Sequence, residues 1–170
     1  MPRGQWIARQ PKHINAMSTP VEFVFIHHSA MSQCHGDRDN CREMRLIQNL
    51  HMDERGWDDI AYNFVVSGDG RIYEGRGWDR EGAHTKGWND IAIAVCFMGN
   101  FVETDPDPVA ISAVQNLLIL GEELGKISPD YKLYGHRDVR PTECPGEKLY
   151  TLISSWKNFD MFEPVNPKYH

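Results

Sequence analysis

Runs of apolar residues along the chain predict a sheet. Five short segments rich in β-branched and aromatic residues are typical of strands. They lie at residues 21–26, 62–66, 71–74, 91–98 and 131–134. The second and third flank Ser67-Gly68-Asp69-Gly70, which is typical of a hairpin turn. Residues 91–98 form the longest apolar run and predict a buried strand.

Apolar residues at helical spacing predict three helices between and after these strands. The first opens at Asn40, with Glu43 as its capping partner, and stops at Gly56. The second runs from Asp107, followed by a proline at the first helical position, to Gly125. A last helix holds Leu149, Ile153 and Trp156. The expected fold class is therefore α/β, a central mixed β-sheet flanked by helices.

Length and charge narrow the class of protein. The 170 residues suffice for one domain, expected over residues 1–160 with a tail at 161–170. The net charge of −6 makes nucleic acid and anionic membrane surfaces poor candidate partners.

The first residues show no apolar segment of a signal peptide, and no run approaches the roughly 20 residues of a membrane span. We expect a monomer in solution.

Two of the four cysteines lie close together in the sequence. Cys34 and Cys41 are separated by six polar, turn-forming residues. The spacing suits a disulfide, which would imply an oxidising compartment, but two free thiols fit it equally well. Cys96 lies inside the apolar run and is expected to be a small buried hydrophobic residue.

Three potential metal ligands stand at the ends of predicted elements. His27 follows the first strand, His136 follows the strand at 131–134, and Cys144 comes eight residues later. Two imidazoles and a thiolate suit zinc, and three protein ligands leave the fourth tetrahedral position for water. The spacing matches no compact zinc finger, so from spacing alone histidines satisfied within the fold or on the surface are the more common explanation.

An ordered set of short motifs runs along nearly the whole chain, from about residue 3 to residue 160. The motifs are Phe25-Ile26-His27-His28-Ser29, His51-Met52-Asp53, Gly56-Trp57-Asp58-Asp59-Ile60, Tyr62-Asn63-Phe64, Gly68-Asp69-Gly70, Tyr73-Glu74-Gly75-Arg76-Gly77-Trp78, Gly82-Ala83-His84-Thr85, Met98-Gly99-Asn100-Phe101, Gly135-His136-Arg137-Asp138-Val139 and Thr142-Glu143-Cys144-Pro145-Gly146. In order and separation the set resembles the peptidoglycan recognition proteins. That family shares its fold with bacteriophage-type N-acetylmuramoyl-L-alanine amidases.

The resemblance implies a catalytic zinc site. His27, His136 and Cys144 match the family's zinc ligands, and non-enzymatic members carry serine at the third position. With Cys144 at this position, the sequence resembles the catalytic branch of the family. Tyr62 matches the family's catalytic tyrosine. Thr142 stands where phage-type amidases carry lysine, so its hydroxyl is expected only to donate a hydrogen bond.

The resemblance also implies a substrate groove. Gly56, Trp57 and Arg76 match members that bind meso-diaminopimelate peptidoglycan, and an arginine can pair bidentately with the extra carboxylate of diaminopimelate. The other matched groove positions are His28, Ser29, His51, Arg55, His84 and Asn89. Cys34 and Cys41 match a disulfide of the family, and a secreted, extracellular protein is implied.

The function expected from the resemblance is zinc-dependent hydrolysis of the amide between N-acetylmuramic acid and L-alanine in peptidoglycan, in innate immunity. The donor of a proton to the leaving amine is left open. Two alternatives remain. The chain could be a peptidoglycan receptor without turnover, or a cysteine hydrolase that uses Cys144 with His136.

Overall fold

A five-stranded sheet forms the centre of the computed structural model, which describes residues 1–33 and 36–169. The strands are β1 (Val21–His28), β2 (Phe64–Val66), β3 (Ile72–Glu74), β4 (Ala92–Phe97) and β5 (Ile127–Gly135). Their order across the sheet is β3-β2-β4-β1-β5. Among these five strands, only β2 and β3 pair antiparallel, as the predicted hairpin, and the other neighbours are parallel. The predicted mixed sheet is confirmed.

Two strands are longer than predicted. Strand β1 continues through His27 and His28, which pair in register with Cys96 and Phe97 of β4. His27 therefore lies within the strand and not after it, because the backbone ladder continues past the apolar run. Strand β5 begins at Ile127, although the polar residues that follow interrupt its apolar pattern.

In the described part of the chain, three α-helices flank the sheet, α1 (Asp37–Asn49), α2 (Pro108–Glu123) and α3 (Glu147–Ile153), and a π-helical turn at Leu50–Glu54 extends α1. The predicted start of α1 at Asn40 is wrong. The helix begins three residues earlier, and the buried Asn40 amide donates to the Asp69 carboxylate in the hairpin turn. Helix α2 has Asp107 at its N-cap position, as predicted. Helix α3 ends at Ile153, so Trp156 lies beyond it.

Apolar side chains cover both faces of the sheet. One core packs α2 and α3 against a face that carries Val24 and Ile26 of β1. Side chains alternate along a strand, so Phe23, Phe25 and His27 point to the opposite face. Phe23 and Phe25 pack there against Trp88 and Tyr134 in a separate cluster. Because side chains alternate along β1, His27 lies on the face that α1 partly covers.

The predicted tail at residues 161–170 contacts the loop between β3 and β4. In the tail, the Asn166 amide donates to the Gly87 carbonyl at 2.8 Å, and Lys168 forms an ion pair with Asp90.

Among the described residues, no helix has the length and apolar character that crossing a membrane requires.

Candidate metal centre

The three predicted ligands meet at one edge of the sheet. His27 is near the carboxyl end of β1, and His136 follows β5 directly. Because β1 and β5 are parallel neighbours, these ends lie side by side. Cys144 reaches the same point from the loop before α3. One ligand atom from each side chain lies within 4.8 Å of the other two.

The distances suit a zinc ion. Zinc bonds of about 2.3 Å to sulfur and about 2.0 Å to nitrogen, at a tetrahedral angle, place the two donor atoms roughly 3.5 Å apart. The Sγ of Cys144 lies 3.6 Å from the Nδ1 of His27. The backbone N–H of His28 also donates to this sulfur at 3.4 Å. Such a donor supports negative charge on sulfur, as expected of a thiolate ligand.

The loop that carries Cys144 is held by backbone contacts. Arg137 N donates to the Cys144 carbonyl at 2.9 Å, which ties the loop to the segment after β5. Gly146 has a φ of +91°, and a Cβ there would lie 2.4 Å from the carbonyl carbon of Phe101. Glycine is therefore required at this position for the loop to approach Phe101 and bring the thiol to the histidines.

The protonation states of the three groups also fit a metal. Burial lowers the pKa of His136 to about 4 and that of His27 well below 6.5, so both rings are neutral at pH 7. Burial raises the pKa of the Cys144 thiol to about 12. The imidazoles are thus ready to act as ligands, whereas the thiol needs a nearby cation to lose its proton.

Because the buried histidines of this region are neutral in the folded protein at pH 7, we expect acid to destabilise the fold. Burial lowers the pKa of His28, His51 and His136 to about 4, from an ordinary value near 6.5. The unfolded chain then binds more protons than the folded chain between about pH 6.5 and pH 4, so stability is present above this window and is lost as pH falls through it. We expect the Tm of the metal-free protein to fall by roughly 5–10 °C from pH 7 to pH 5.

Thermal unfolding of variants checks this pH dependence. His51→Gln removes one of the shifted groups and should flatten the decline, whereas His13→Gln, at an exposed position, should match the parent. A Tm that does not change over this range would contradict the assignment of neutral histidines.

A cavity of about 270 Å³ opens beside the three ligands. It contains most of the predicted site residues. Its walls are His27, His28, Ser29, Ala30, Leu50, His51, Arg55, Trp57, Ala61, Tyr62, Ala83, His84, His136, Thr142 and Cys144. Sequence reasoning missed the four small or aliphatic members, Ala30, Leu50, Ala61 and Ala83, which carry no chemical signal of their own.

Tyr62 and Thr142 bring hydroxyl groups to this cavity. The Tyr62 ring lies 5.4 Å from the His27 ring and 5.6 Å from the His51 ring, centroid to centroid. Burial raises the pKa of the Tyr62 phenol well above 10, so it stays protonated and acts as a donor. Thr142 is exposed, and its Oγ1 accepts the Cys144 N–H at 3.2 Å. The Thr142 hydroxyl keeps its own proton to donate.

Two histidines present N–H groups along the cleft. Nδ1 of His51 accepts the Ala61 N–H at 3.0 Å, and Nδ1 of His28 accepts the Phe101 N–H at 3.3 Å. Since both rings are neutral at pH 7, each carries its proton on Nε2. The Trp57 ring lies 5.0 Å from the His51 ring and adds a flat apolar surface.

Three predicted groove residues do not line the cavity. Gly56 adopts a φ of +73°, which turns the chain so that Trp57 N donates to the His51 carbonyl. Oδ1 of Asn89 accepts the backbone N–H of His84 at 3.0 Å. Both residues therefore shape the cleft through backbone conformation. Arg76 is the third.

Arg76 lies behind the cavity wall, and its expected contact with substrate stays a prediction. It is 8% exposed, and its guanidinium donates to the carbonyls of Ile60 at 2.7 Å and Glu81 at 2.8 Å. These carbonyls have no strand partner, so a buried donor satisfies them. The Arg76 charge also contributes to the lowered pKa of His51 and His84.

The predicted disulfide stays a prediction. Cys34 lies outside the described residues, and Cys41 forms no disulfide with a described residue. Cys96 is fully buried in β4, as predicted from the apolar run.

Comparison with known proteins places this geometry in a family. The model of the N-acetylmuramoyl-L-alanine amidase family, Amidase_2, matches residues 17–147. Peptidoglycan-recognition protein 1 of Holotrichia diomphalia is 40% identical over 157 residues, which are 92% of this chain and 80% of that protein. Peptidoglycan-recognition protein LB of Drosophila melanogaster is 43% identical over 158 residues, which are 92% of this chain and 68% of that protein.

Solved structures agree with the sequence relatives. Wild-type Drosophila PGRP-LB superposes with a TM-score of 0.94 at 41% identity, covering 97% of this chain and 98% of that one. Peptidoglycan recognition protein-LE in complex with tracheal cytotoxin superposes with a TM-score of 0.92 at 40% identity, covering 100% of this chain and 98% of that one. The chain belongs to the peptidoglycan recognition proteins, within the N-acetylmuramoyl-L-alanine amidase family.

Proposed function

We propose that this protein binds peptidoglycan fragments and hydrolyses, with zinc, the amide that joins N-acetylmuramic acid to L-alanine. One observation carries the proposal. His27, His136 and Cys144 place two imidazole nitrogens and one sulfur within 4.8 Å of one another, beside a cavity lined by a protonated tyrosine. A thiolate is a strong zinc ligand, and three protein ligands leave the fourth tetrahedral position open, as in catalytic zinc sites.

The substrate class is supported by the relatives. The solved relative PGRP-LE was crystallised with tracheal cytotoxin, described as monomeric diaminopimelic acid-type peptidoglycan. A mutant of Drosophila PGRP-LB was also solved in complex with tracheal cytotoxin. In this chain the cleft offers the Trp57 ring and the N–H groups of His28 and His51. These groups suit a peptide with a sugar attached, because the N–H groups can donate to its carbonyl and carboxylate oxygens and the Trp57 ring can pack against an apolar face.

His27, His136 and Cys144 would hold the zinc ion, which when bound polarises a carbonyl and makes water a better nucleophile. The chain's own groups then position the amide. Tyr62 keeps its proton at neutral pH and can donate to the carbonyl oxygen as negative charge develops there. The Thr142 hydroxyl, at the exposed rim, can donate to a second acceptor of the substrate. The backbone N–H of His28 donates to the Cys144 sulfur and holds it in place.

Mass spectrometry of a muropeptide digest tests the reaction. The zinc-loaded protein should release a peptide with a free L-alanine amine and a glycan that ends in a lactyl carboxylate. A chelator should stop the reaction, and added zinc should restore it. Binding without cleavage in the presence of zinc would show a receptor. Inactivation by thiol alkylation with no effect of the chelator would show a cysteine hydrolase.

We also propose a preference for meso-diaminopimelate peptides that depends on Arg76. Its guanidinium has five N–H groups, and carbonyl contacts account for three. Arg76→Lys keeps the charge but loses the planar pair of donors, so we expect about a tenfold loss in the ratio of diaminopimelate to lysine peptide affinities. Calorimetry with both peptides measures this ratio, which is insensitive to a general loss of binding.

Arg80→Lys is the matched control for this substitution. Arg80 also donates to backbone carbonyls, those of Gly75 and Arg76, and it does not line the cleft. Its substitution should leave the ratio unchanged. An unchanged ratio in Arg76→Lys as well would remove Arg76 from peptide selection.

An extracellular site of action follows from the same proposal, because bacterial peptidoglycan is encountered outside host cells. The proposed disulfide between Cys34 and Cys41 suits that oxidising environment. Intact-mass measurement of the secreted protein before and after reduction tests the disulfide through a gain of about two mass units.

A further inference from the structure

Thr85 connects the metal centre to a histidine in the loop between β3 and β4. It is fully buried, and its Oγ1 lies 3.3 Å from the Nε2 of His27 and 2.9 Å from the Nδ1 of His84. Its backbone N–H donates to Oδ1 of Asn89 at 2.7 Å, which holds the loop in place. The hydroxyl is therefore fixed between two imidazole rings.

The positions of the protons follow from the geometry. The Nδ1 of His27 faces the Cys144 sulfur at 3.6 Å and is the ring nitrogen available to a metal. A neutral ring that binds a metal through Nδ1 carries its proton on Nε2, which then donates to Thr85 Oγ1. The Thr85 hydroxyl has one proton of its own, and Nδ1 of His84 is within reach to accept it.

We propose that Thr85 is a positioning residue for the metal centre, and that it fixes the tautomer and ring orientation of His27 through the chain His27 Nε2–H to Thr85 Oγ1–H to His84 Nδ1. This inference rests on the proposed zinc site. Sequence reasoning gave Thr85 no role, although it stands beside His84 in a recognised motif. A partner on the second ring nitrogen is a general feature of histidine metal ligands, and its loss typically weakens metal binding by 10–100-fold.

The arrangement separates Thr85 from residues that contact substrate. Thr85 does not line the cavity, so it does not contact substrate and acts through the rings of His27 and His84. With valine at this position, the Nε2–H of His27 and the Nδ1 of His84 would both lose their partner in a buried environment. A ring without this partner can rotate or adopt the other tautomer, which carries a proton on the nitrogen that should bind metal.

Zinc affinity is the direct readout. Competition between the protein and a chelating dye measures the Kd for zinc alone, without substrate. We expect Thr85→Val to weaken zinc binding by about 10–100-fold, and Thr85→Ser, which keeps the hydroxyl, to stay within about threefold of the parent. The Tm of each metal-free variant reports damage to the fold separately from the effect on zinc.

Nitrogen NMR of the zinc-loaded parent gives a second measurement that needs no variant. The His27 ring should show its proton on Nε2, in slow exchange with water. A proton on Nδ1 would overturn the proposal, as would Thr85→Val with a parent-like zinc Kd, or Thr85→Ser as weak as Thr85→Val. A parent that binds no zinc would instead refute the proposed function, and this inference with it.

Discussion

Replacing Cys144 by serine is expected to abolish amide hydrolysis and to weaken zinc binding by at least about 10³-fold, because a neutral hydroxyl is a poor zinc ligand and a thiolate is a strong one. Binding of a muropeptide should stay within a few-fold of the parent. Trp57, His28 and His51, which line the rest of the cleft, are unchanged by this substitution. Zinc content, zinc Kd and muropeptide cleavage are measured on the same preparation.

Cys96→Ala is the matched control for this substitution. Cys96 is a buried thiol in β4 that is not among the three clustered ligands. Because the Cys96 side chain is hydrogen-bonded to Tyr62, this control is read on zinc content, and the loss of Cys96 should leave one zinc per chain. If Cys144→Ser kept its zinc and its activity, the assignment of the third ligand would fall.

Replacing Tyr62 by phenylalanine is expected to lower kcat by about 10²–10³-fold, the usual cost of removing one donor to a developing oxyanion. Zinc affinity should not change, because Tyr62 is not among the ligand atoms. Burial keeps the phenol protonated, since its pKa is raised well above 10. Tyr62 therefore acts as a hydrogen-bond donor, and its own ionisation should not appear in the pH–rate profile below pH 10.

Tyr134→Phe controls for the removal of a buried phenol. The Tyr134 hydroxyl donates to Asp160 at 2.9 Å and does not line the cleft. This variant should turn over at nearly the parental rate. Equal rates for Tyr62→Phe and the parent would contradict a role for Tyr62 in the transition state.

The sequence predicted the elements that have strong local patterns. The hairpin turn and helix α2 were found because glycine, aspartate and proline mark their ends. The start of helix α1 was missed because Asn40 bonds to Asp69, which lies 29 residues away in the hairpin turn. A local capping pattern carries no information about such a contact, and tertiary packing decided the outcome.

In the candidate site too, residues in local motifs could be predicted, and residues that depend on distant contacts could not. The three ligands were identified through motifs, and the structure brings them together because parallel neighbours β1 and β5 end at one edge. Arg76 is expected to contact substrate, but its guanidinium also donates to the carbonyls of Ile60 and Glu81, contacts that no local pattern predicts. The role of Thr85 could not be read from the sequence, because it depends on a contact with His27 across 58 residues.

X-ray absorption spectroscopy of the zinc-loaded protein tests the central claim most directly, because it reports the atoms bound to the metal whether or not the protein is active. The account predicts one zinc per chain with one sulfur at about 2.3 Å and nitrogen or oxygen neighbours at about 2.0–2.1 Å. The sulfur should disappear from the spectrum of any zinc retained by Cys144→Ser. Zinc bound without sulfur in the parent, or no stoichiometric zinc at all, would contradict the account.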